Sequence, residues 1–348
     1  MEAPVIAEKK YMDRCFELAL KGGKHTKTNP MVGCVIVYDN QIIGEGYHEK
    51  YGGNHAEINA IECIPHDINP TLKDCIVYIS LEPCCHYGNT PPCAHRLIAD
   101  GFRKFVIGCP DPNPKVSGKG MAYLRSFGAL VVESFCHDQA FEIITKFRIN
   151  LGGMPYVILK WAQSSDNYIG KRDQQIWLSN TSTTILSHKW RSEVDGIMIG
   201  KNTANTDNPS LTNRHYEGSN PVRIVLDSQL ALKKHLTLYN DDLPTWTLNV
   251  KMNKAEGSKK YILVNNTADI KLLLRLLFTM GIYSIIVEGG AKVLNSFKEQ
   301  NIWHEARIIR TAVKLEDGIN APDIQGKLLR KMKSGDNEVL FIRNPSEI

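Results

Sequence analysis

The sequence predicts an α/β protein of two domains, residues 1–150 and 151–348, and three observations carry that expectation. Short apolar runs bounded by Gly, Pro and Asn alternate with stretches of helical spacing, the pattern of sheets covered by helices. All nine cysteines fall between Cys15 and Cys136, so the second half has none. Residues 1–150 carry 16 Lys and Arg against 17 Asp and Glu, whereas residues 151–348 carry 26 against 20. The basic excess therefore lies wholly in the second half. At 348 residues the chain is long enough to bury two cores.

The first half reads as a three-layer α/β sandwich. Tyr11, Cys15, Leu18 and Ala19 recur at helical spacing between Lys10 and Lys21, and Gly22-Gly23 closes that helix. Asn29-Pro30 turns the chain into the apolar strand Cys34 to Tyr38. Asn40-Gln41 then reverses it into Ile42-Ile43-Gly44, a hairpin. A helix opens at His55-Ala56-Glu57, with His55 and Glu57 in its first turn, where the helix dipole favours a carboxylate. Ile76 to Ser80 is a buried strand running into Leu81-Glu82-Pro83-Cys84, and Cys93 starts the next helix. Phe105 to Gly108 is a strand; a last helix and the strand Ala129 to Glu133 follow. Lys146 to Pro155 reads as the junction, with Gly152-Gly153 as its hinge.

The second half supplies strands at Tyr156 to Ala162, Gly196 to Gly200, Pro221 to Asp227, Tyr261 to Val264 and Ile282 to Val287. Helices are expected from Thr181 to Ser192 and from Ala291 to Lys298. Leu230 to Lys260 reads as polar and irregular. The order strand, Gly289-Gly290, helix offers exposed amides and a helix dipole to an anion. It is not Gly-x-Gly-x-x-Gly, so no Rossmann motif is implied. Taken alone, Gly289-Gly290 and Asp207-Asn208-Pro209 are equally ordinary turns.

Several function classes are excluded at this level. No apolar run approaches the roughly 20 residues that span a bilayer. The charged start (Glu8, Lys9, Lys10) has no apolar signal segment, so a cytoplasmic location without membrane contact is expected. Clustered cysteines in such a chain point to a metal rather than to disulfides.

His55-x-Glu57 followed by Pro83-Cys84 and Cys93 is the pattern of the zinc deaminases. Two thiolates and an imidazole hold Zn²⁺ and leave its fourth position to a water whose pKa the metal lowers. A carboxylate beside it can take that water's proton and pass it to a departing amine. The usual cysteine pair is Cys-x-x-Cys; here Cys84 and Cys93 stand nine positions apart, and Cys85 competes as a ligand. A purely structural zinc would need Cys85 or His86 to close the site. A nucleic-acid deaminase is disfavoured, because the first half has a net charge of −1 and no basic stripe.

Taken together, the motifs closely resemble the bifunctional deaminase–reductases of riboflavin biosynthesis along essentially the whole chain. The first half matches through Asn29-Pro30-x-Val32-Gly33, Gly44-x-Gly46-x-His48, His55-Ala56-Glu57, the long cysteine loop, Asp111-Pro112-Asn113-Pro114 and Gly118-x-Gly120. The second matches through Lys160-x-Ala162, Ser164-x-Asp166, Gly200-x-x-Thr203, Asp207-x-Pro209-x-Leu211-x-x-Arg214 and Val287-Glu288-Gly289-Gly290. The chain departs at Asn208, where the family often has Asp, and at Ser165-Asp166-Asn167, where it often has Leu-Asp-Gly.

The resemblance implies a cytidine-deaminase-like α/β/α sandwich followed by a dihydrofolate-reductase-like α/β domain. It implies zinc held by His55, Cys84 and Cys93, with Glu57 as general acid/base. Asn29, His48 and His86 would position a phosphorylated pyrimidine. In the reductase, Asp207 would handle a proton or orient the ribose, and Lys160, Arg191 and Arg214 would face the substrate. Trp177, Ser179, Leu211 and Glu288 would line the same pocket. NADPH would meet Ala162, Ser164, Thr203, Asp207, Asp227, Gly289 and Gly290, in the half with the basic excess. A homo-oligomer without a nucleic-acid partner is expected.

Overall fold

The computed structural model describes residues 4–65, 71–85, 91–114, 116–172 and 176–347. The chain divides into two compact units, Met1–Gly152 and Gly153–Ile348. In the first, the order is α1 (Lys9–Gly22), β1 (Gly33–Tyr38), β2 (Gln41–Tyr47), α2 (Ala56–Glu62), β3 (Ile76–Ile79) and α3 (Cys93–Asp100). Then come β4 (Lys104–Ile107), α4 (Lys119–Ser126), β5 (Leu130–Val132), α5 (His137–Ile143) and α6 (Thr145–Leu151).

The five strands form one sheet in the order β2-β1-β3-β4-β5. The pairs β1–β2 and β1–β3 are antiparallel, and β3–β4 and β4–β5 are parallel. Alternation along the strands sorts side chains to two faces. Val35, Val37, Tyr78 and Val106 join Met12, Cys15 and Phe16 of α1 and Ala140 of α5. Cys34, Ile36, Val77, Ile79, Phe105 and Ile107 join Ala60 of α2, Leu97 of α3 and Leu124 of α4. The result is the expected α/β/α sandwich. Its hairpin turns at Asp39 and Asn40, both at positive φ (47° and 58°), one residue earlier than expected. Such a turn matches the twist of the flanking strands.

The second unit contains β6 (Tyr156–Gln163), β7 (Tyr168–Gly170), α7 (Thr181–Ser192), β8 (Gly196–Gly200), α8 (Lys201–Asp207), β9 (Val222–Leu226) and β10 (Thr245–Asn249). It continues with β11 (Lys254–Glu256), β12 (Lys259–Leu263), α9 (Ile270–Thr279), β13 (Ser284–Val287), α10 (Ala291–Glu299) and β14 (Glu305–Arg310). Last come β15 (Ile319–Asn320), β16 (Lys327–Ser334) and β17 (Asn337–Arg343). Ten strands make one sheet, β11-β12-β10-β9-β8-β13-β6-β14-β17-β16. The seven from β12 to β14 run parallel, with antiparallel strands at both edges. Helices α9 and α10 cover one face through Leu273, Leu277, Leu294 and Phe297. Helices α7 and α8 cover the other through Trp190 and Ala204.

Three expectations change. The segment Leu230 to Lys260 is not irregular throughout: every residue of β10 is buried. Only Trp246 and Leu248 of that strand join the hydrophobic core, while Asn249 donates to the Thr247 and Ile262 carbonyls. A strand with one polar face that bonds internally has a weak apolar signal. The junction Lys146 to Pro155 begins as the helix α6, which ends at Leu151 and is followed by Gly152 and Gly153 (φ +70°). His55 is the N-cap of α2 rather than part of its first turn.

Candidate active sites

The first candidate site is assembled from the starts of two helices. His55 caps α2, and Cys93 opens α3 after Pro92. Cys84 lies just beyond β3. His55 Nδ1 stands 3.6 Å from Cys84 Sγ and 3.2 Å from Cys93 Sγ, and the three atoms all lie within 4.8 Å of one another. Ligands bound tetrahedrally to zinc at about 2.0 Å (N) and 2.3 Å (S) sit roughly 3.5–3.8 Å apart, so the trio fits that ion. The Cys93 N–H donates to Cys84 Sγ at 3.3 Å. The Cys84 thiol is lowered to about 4, first by its hydrogen bond with Cys93 and then by that with His55. The His55 imidazole is raised to about 9, chiefly by Cys84. Metal binding would require all three groups in their deprotonated forms, the imidazole neutral and both thiols as thiolates. Cys85 is outside this cluster and packs against the hydrophobic core of the unit.

Glu57, in the first turn of α2, is 3% exposed. Burial raises its carboxyl, and the charge of His55 opposes that shift. A proton-hungry buried carboxylate next to the ligand trio is suited to carrying protons at neutral pH. His48 Nδ1 donates to the Asn54 carbonyl at 2.9 Å, which leaves Nε2 to accept from the Asn29 amide at 3.1 Å. Burial lowers its pKa, so the ring stays neutral. It meets His55 edge-on at 5.6 Å between centroids. Asn29, His48, His55 and Glu57 are therefore gathered at one place. The Asn54 carbonyl, which holds the tautomer of His48, has no signal in the sequence, since any residue provides one. His86 lies outside the described residues.

In the second unit, Lys160 of β6, Arg191 from the last turn of α7 and Glu288 just after β13 meet. Arg191 grips Glu288 with two parallel bonds, Nε to Oε1 at 2.9 Å and Nη2 to Oε2 at 2.8 Å. Lys160 Nζ approaches Oε2 at 3.4 Å. Burial alone would raise the Glu288 carboxyl, but Arg191 and then Lys160 bring it down to about 2. Burial lowers the Lys160 ammonium, with Glu288 opposing that shift, so two basic side chains share one carboxylate and an anionic ligand would favour the charged form of both. The third contact of Arg191 is to the Thr212 carbonyl at 3.1 Å, which ties the Asn208–Arg214 segment to the cluster.

In that segment, Leu211 is buried with φ +54°, and Asn208 ends α8 with φ +40°. A branched side chain in the left-handed region is strain of the kind that collects at ligand sites. Arg214 is exposed and bonds the hydroxyls of Ser210 and Thr212. Asp207, the last residue of α8, is also exposed, with desolvation raising its carboxyl.

Thr203 and Gly290 are joined directly, the Gly290 N–H donating to Thr203 Oγ1 at 2.9 Å. A Cβ on Gly290 would stand 3.0 Å from that oxygen, and one on Gly289 would crowd Val293 and the Ile199-Gly200 backbone at 3.2–3.3 Å. The β8 and β13 turns thus pack backbone to backbone. Asp227 is buried after β9; Oδ2 accepts from the Leu232 N–H, while Oδ1 has no hydrogen-bond partner among the described residues. It lines a cleft of about 780 Å³ with Tyr239, Lys254 and Tyr261. Ala162 lies in β6, and Ser164, just beyond it, donates to Asp166. Asp166 in turn accepts the Leu315 and Glu316 amides and is lowered to about 2. Ser179 is half-buried just before α7, whereas Trp177 is 79% exposed. Both departures noted in the sequence involve a left-handed asparagine: Asn208, and Asn167 at φ +65°. Asn tolerates that region better than most residues, so neither departure forces a new backbone path.

Residues 6–109 match the family model of the cytidine and deoxycytidylate deaminase zinc-binding region, and residues 155–313 match that of the RibD C-terminal domain. A riboflavin biosynthesis protein RibD from Aquifex aeolicus is 33% identical over 97% of this chain and 98% of its own. That of Bacillus amyloliquefaciens is 34% identical over 94% of this chain and 90% of its own. Among solved structures, a Thermotoga maritima diaminohydroxyphosphoribosylaminopyrimidine deaminase/5-amino-6-(5-phosphoribosylamino)uracil reductase superposes with a TM-score of 0.87. It is 29% identical and covers 97% of this chain and 98% of its own. Acinetobacter baumannii RibD gives 0.82 at 28% identity, covering 96% and 98%.

Proposed function

This chain belongs to the RibD family of riboflavin biosynthesis proteins, and on that premise we propose how its two units divide the work. Residues 1–150 deaminate a 2,5-diamino-6-ribosylamino-pyrimidinone 5′-phosphate. Residues 151–348 reduce the ribosyl chain of the product to ribityl with NADPH. The observation that carries the first assignment is the His55–Cys84–Cys93 trio with the buried Glu57 beside it. Zinc bound there would supply the Lewis acidity that makes water a nucleophile at neutral pH. Glu57 takes the proton of the attacking water and returns it to the leaving amine, so that water and the amino-pyrimidinone become pyrimidinedione and ammonia. Asn29 and the neutral His48 orient the ring, and His86, which lies between Cys84 and Cys93 in the sequence, is the further candidate.

In the second unit, Lys160 and Arg191 attract the substrate phosphate, with Glu288 holding both cations in place. Arg214, Leu211, Ser179 and Trp177 complete the substrate pocket. NADPH would supply the two electrons of the reduction, seated against Thr203, Gly289 and Gly290 with Ala162, Ser164 and Asp227 along its length. Asp207 holds or moves the proton at the ribose. No nucleic acid takes part, in keeping with the net charge of −1 in residues 1–150. We read the protein as a cytoplasmic homo-oligomer; no described helix is long and apolar enough to cross a membrane. The direct test supplies the diaminopyrimidinone phosphate and follows ammonia and NADPH absorbance together. Ammonia release followed by NADPH consumption is expected; neither, with zinc bound, would overturn the reading.

A further inference from the structure

We propose that Glu82 is a positioning residue for Cys84, holding that ligand in register with the start of α4. Its side chain is 3% exposed and accepts four backbone N–H groups. Oε1 takes Gly120 at 2.8 Å and Met121 at 3.2 Å; Oε2 takes Gly118 at 2.9 Å and Asp111 at 3.1 Å. Three of these donors are the N-cap and first-turn amides of α4. Helix starts leave such amides without intrahelical partners, and the N-cap, Gly118, has no side chain to take them. Glu82 is therefore the cap of α4, delivered from a different segment, and its charge meets the positive end of the helix dipole.

The grip extends along the backbone towards Cys84. The Glu82 N–H donates to the Cys109 carbonyl at 2.9 Å. A Cβ on Gly120 would stand 2.1 Å from the Pro83 carbonyl oxygen, so α4 is pressed against Pro83 as well. The proline ring removes further slack. On its far side, the Cys84 carbonyl accepts the Ala94 N–H at 3.0 Å, and its sulfur accepts the Cys93 N–H. Cys84 is thus suspended between the starts of α4 and α3, while His55 comes from α2. This also gives Gly118-x-Gly120 a physical role: Gly118 (φ +76°) turns its amide to Glu82, and Gly120 leaves room for Pro83.

The inference rests on the zinc reading of the trio, and the test separates the two. In the full chain, Glu82→Gln puts an amide –NH₂ among four donors. Zinc affinity, read by chelator competition, is expected to fall about 10- to 100-fold, as for other supports of a metal ligand. The cobalt(II) spectrum at saturating metal should shift, and the rise in melting temperature on metal binding should shrink. Gly120→Ala moves Pro83 without touching a charge and should act in the same direction, which keeps the test open if Glu82→Gln does not fold. Gly128→Ala is the control: with φ +75° and nothing within 4 Å, it strains the same unit elsewhere. It should lower the stripped and loaded forms equally and leave affinity unchanged. If Glu82→Gln and Gly120→Ala behave like Gly128→Ala, with affinity and cobalt spectrum untouched, Glu82 is only a fold residue. A wild-type chain that binds no zinc would instead overturn the reading underneath.

Discussion

The ligand trio of the first unit and the ion cluster of the second are gathered in different ways. His55, Cys84 and Cys93 span 38 positions, and each stands at a helix start or just beyond a strand. Lys160, Arg191 and Glu288 are drawn from much farther apart, Glu288 lying 128 positions from Lys160 and 97 from Arg191. Lys160 and Glu288 approach because β6 and β13 are parallel neighbours, and Arg191 reaches them from the helix that covers that sheet. A metal centre needs few donors of an uncommon chemical kind, so its spacing is informative. An anion site can be made from common residues, and sheet order alone selects them.

The sharpest way to break this comparison is at the metal. Cys84→Ser and Cys93→Ser should each lose zinc and ammonia release, whereas Cys85→Ser should keep a full metal complement by elemental analysis. Loss of metal in Cys85→Ser would reassign the ligands. Next in size is Glu57→Gln, expected to cut ammonia release on the order of 10²-fold or more while reduction of the deaminated substrate continues. Asp207→Asn should do the reverse, with ammonia produced at the normal rate and NADPH not consumed. A single substitution that removed both activities from a folded protein would end the two-site description.

Smaller effects sharpen the contrast. Glu288→Gln leaves Lys160 and Arg191 buried beside one another without their anion. We expect about 3–5 kcal/mol of destabilisation, seen by denaturant titration in the second unit and not in the first. The acid response should also be uneven. His304 accepts the Val157 N–H, and burial, then the charge of Arg343, lowers it from 6.5 to about 4. Its folded pKa lies below its unfolded one, so its contribution is present above about pH 6.5 and is lost as pH falls towards 4. The loss should be on the order of 3 kcal/mol. His304→Gln, which cannot titrate, should flatten the dependence of the melting temperature on pH in that window.

The difference between the units also explains what could be read in advance. His-x-Glu and Pro-Cys are rare enough together to announce their chemistry, and the strands of the first sheet are apolar enough to announce themselves. β10 has a weak apolar signal because Thr245, Thr247 and Asn249 alternate with its apolar residues; Thr245 bonds Arg223 and the Leu238 carbonyl, and Asn249 the Ile262 carbonyl. Glu82 carries no signal in the sequence, because its four partners are backbone amides 29 to 39 positions away, which no residue type advertises. α6 lies inside the stretch whose Gly152-Gly153 pair marks the junction, and a seven-residue helix has too few apolar positions to show a clear period.

The sequence by itself determined the reaction class of the first unit, the two-unit plan and most of the strands. Those follow from donor chemistry, side-chain periodicity and turn residues, all of them local properties. Only the tertiary structure decided that Asn29 holds His48, that Lys160 and Arg191 share Glu288, and that Glu82 caps a helix it does not belong to. Each of these depends on distances between segments remote in the chain. Such distances are set by sheet order and packing, which no single stretch of residues encodes.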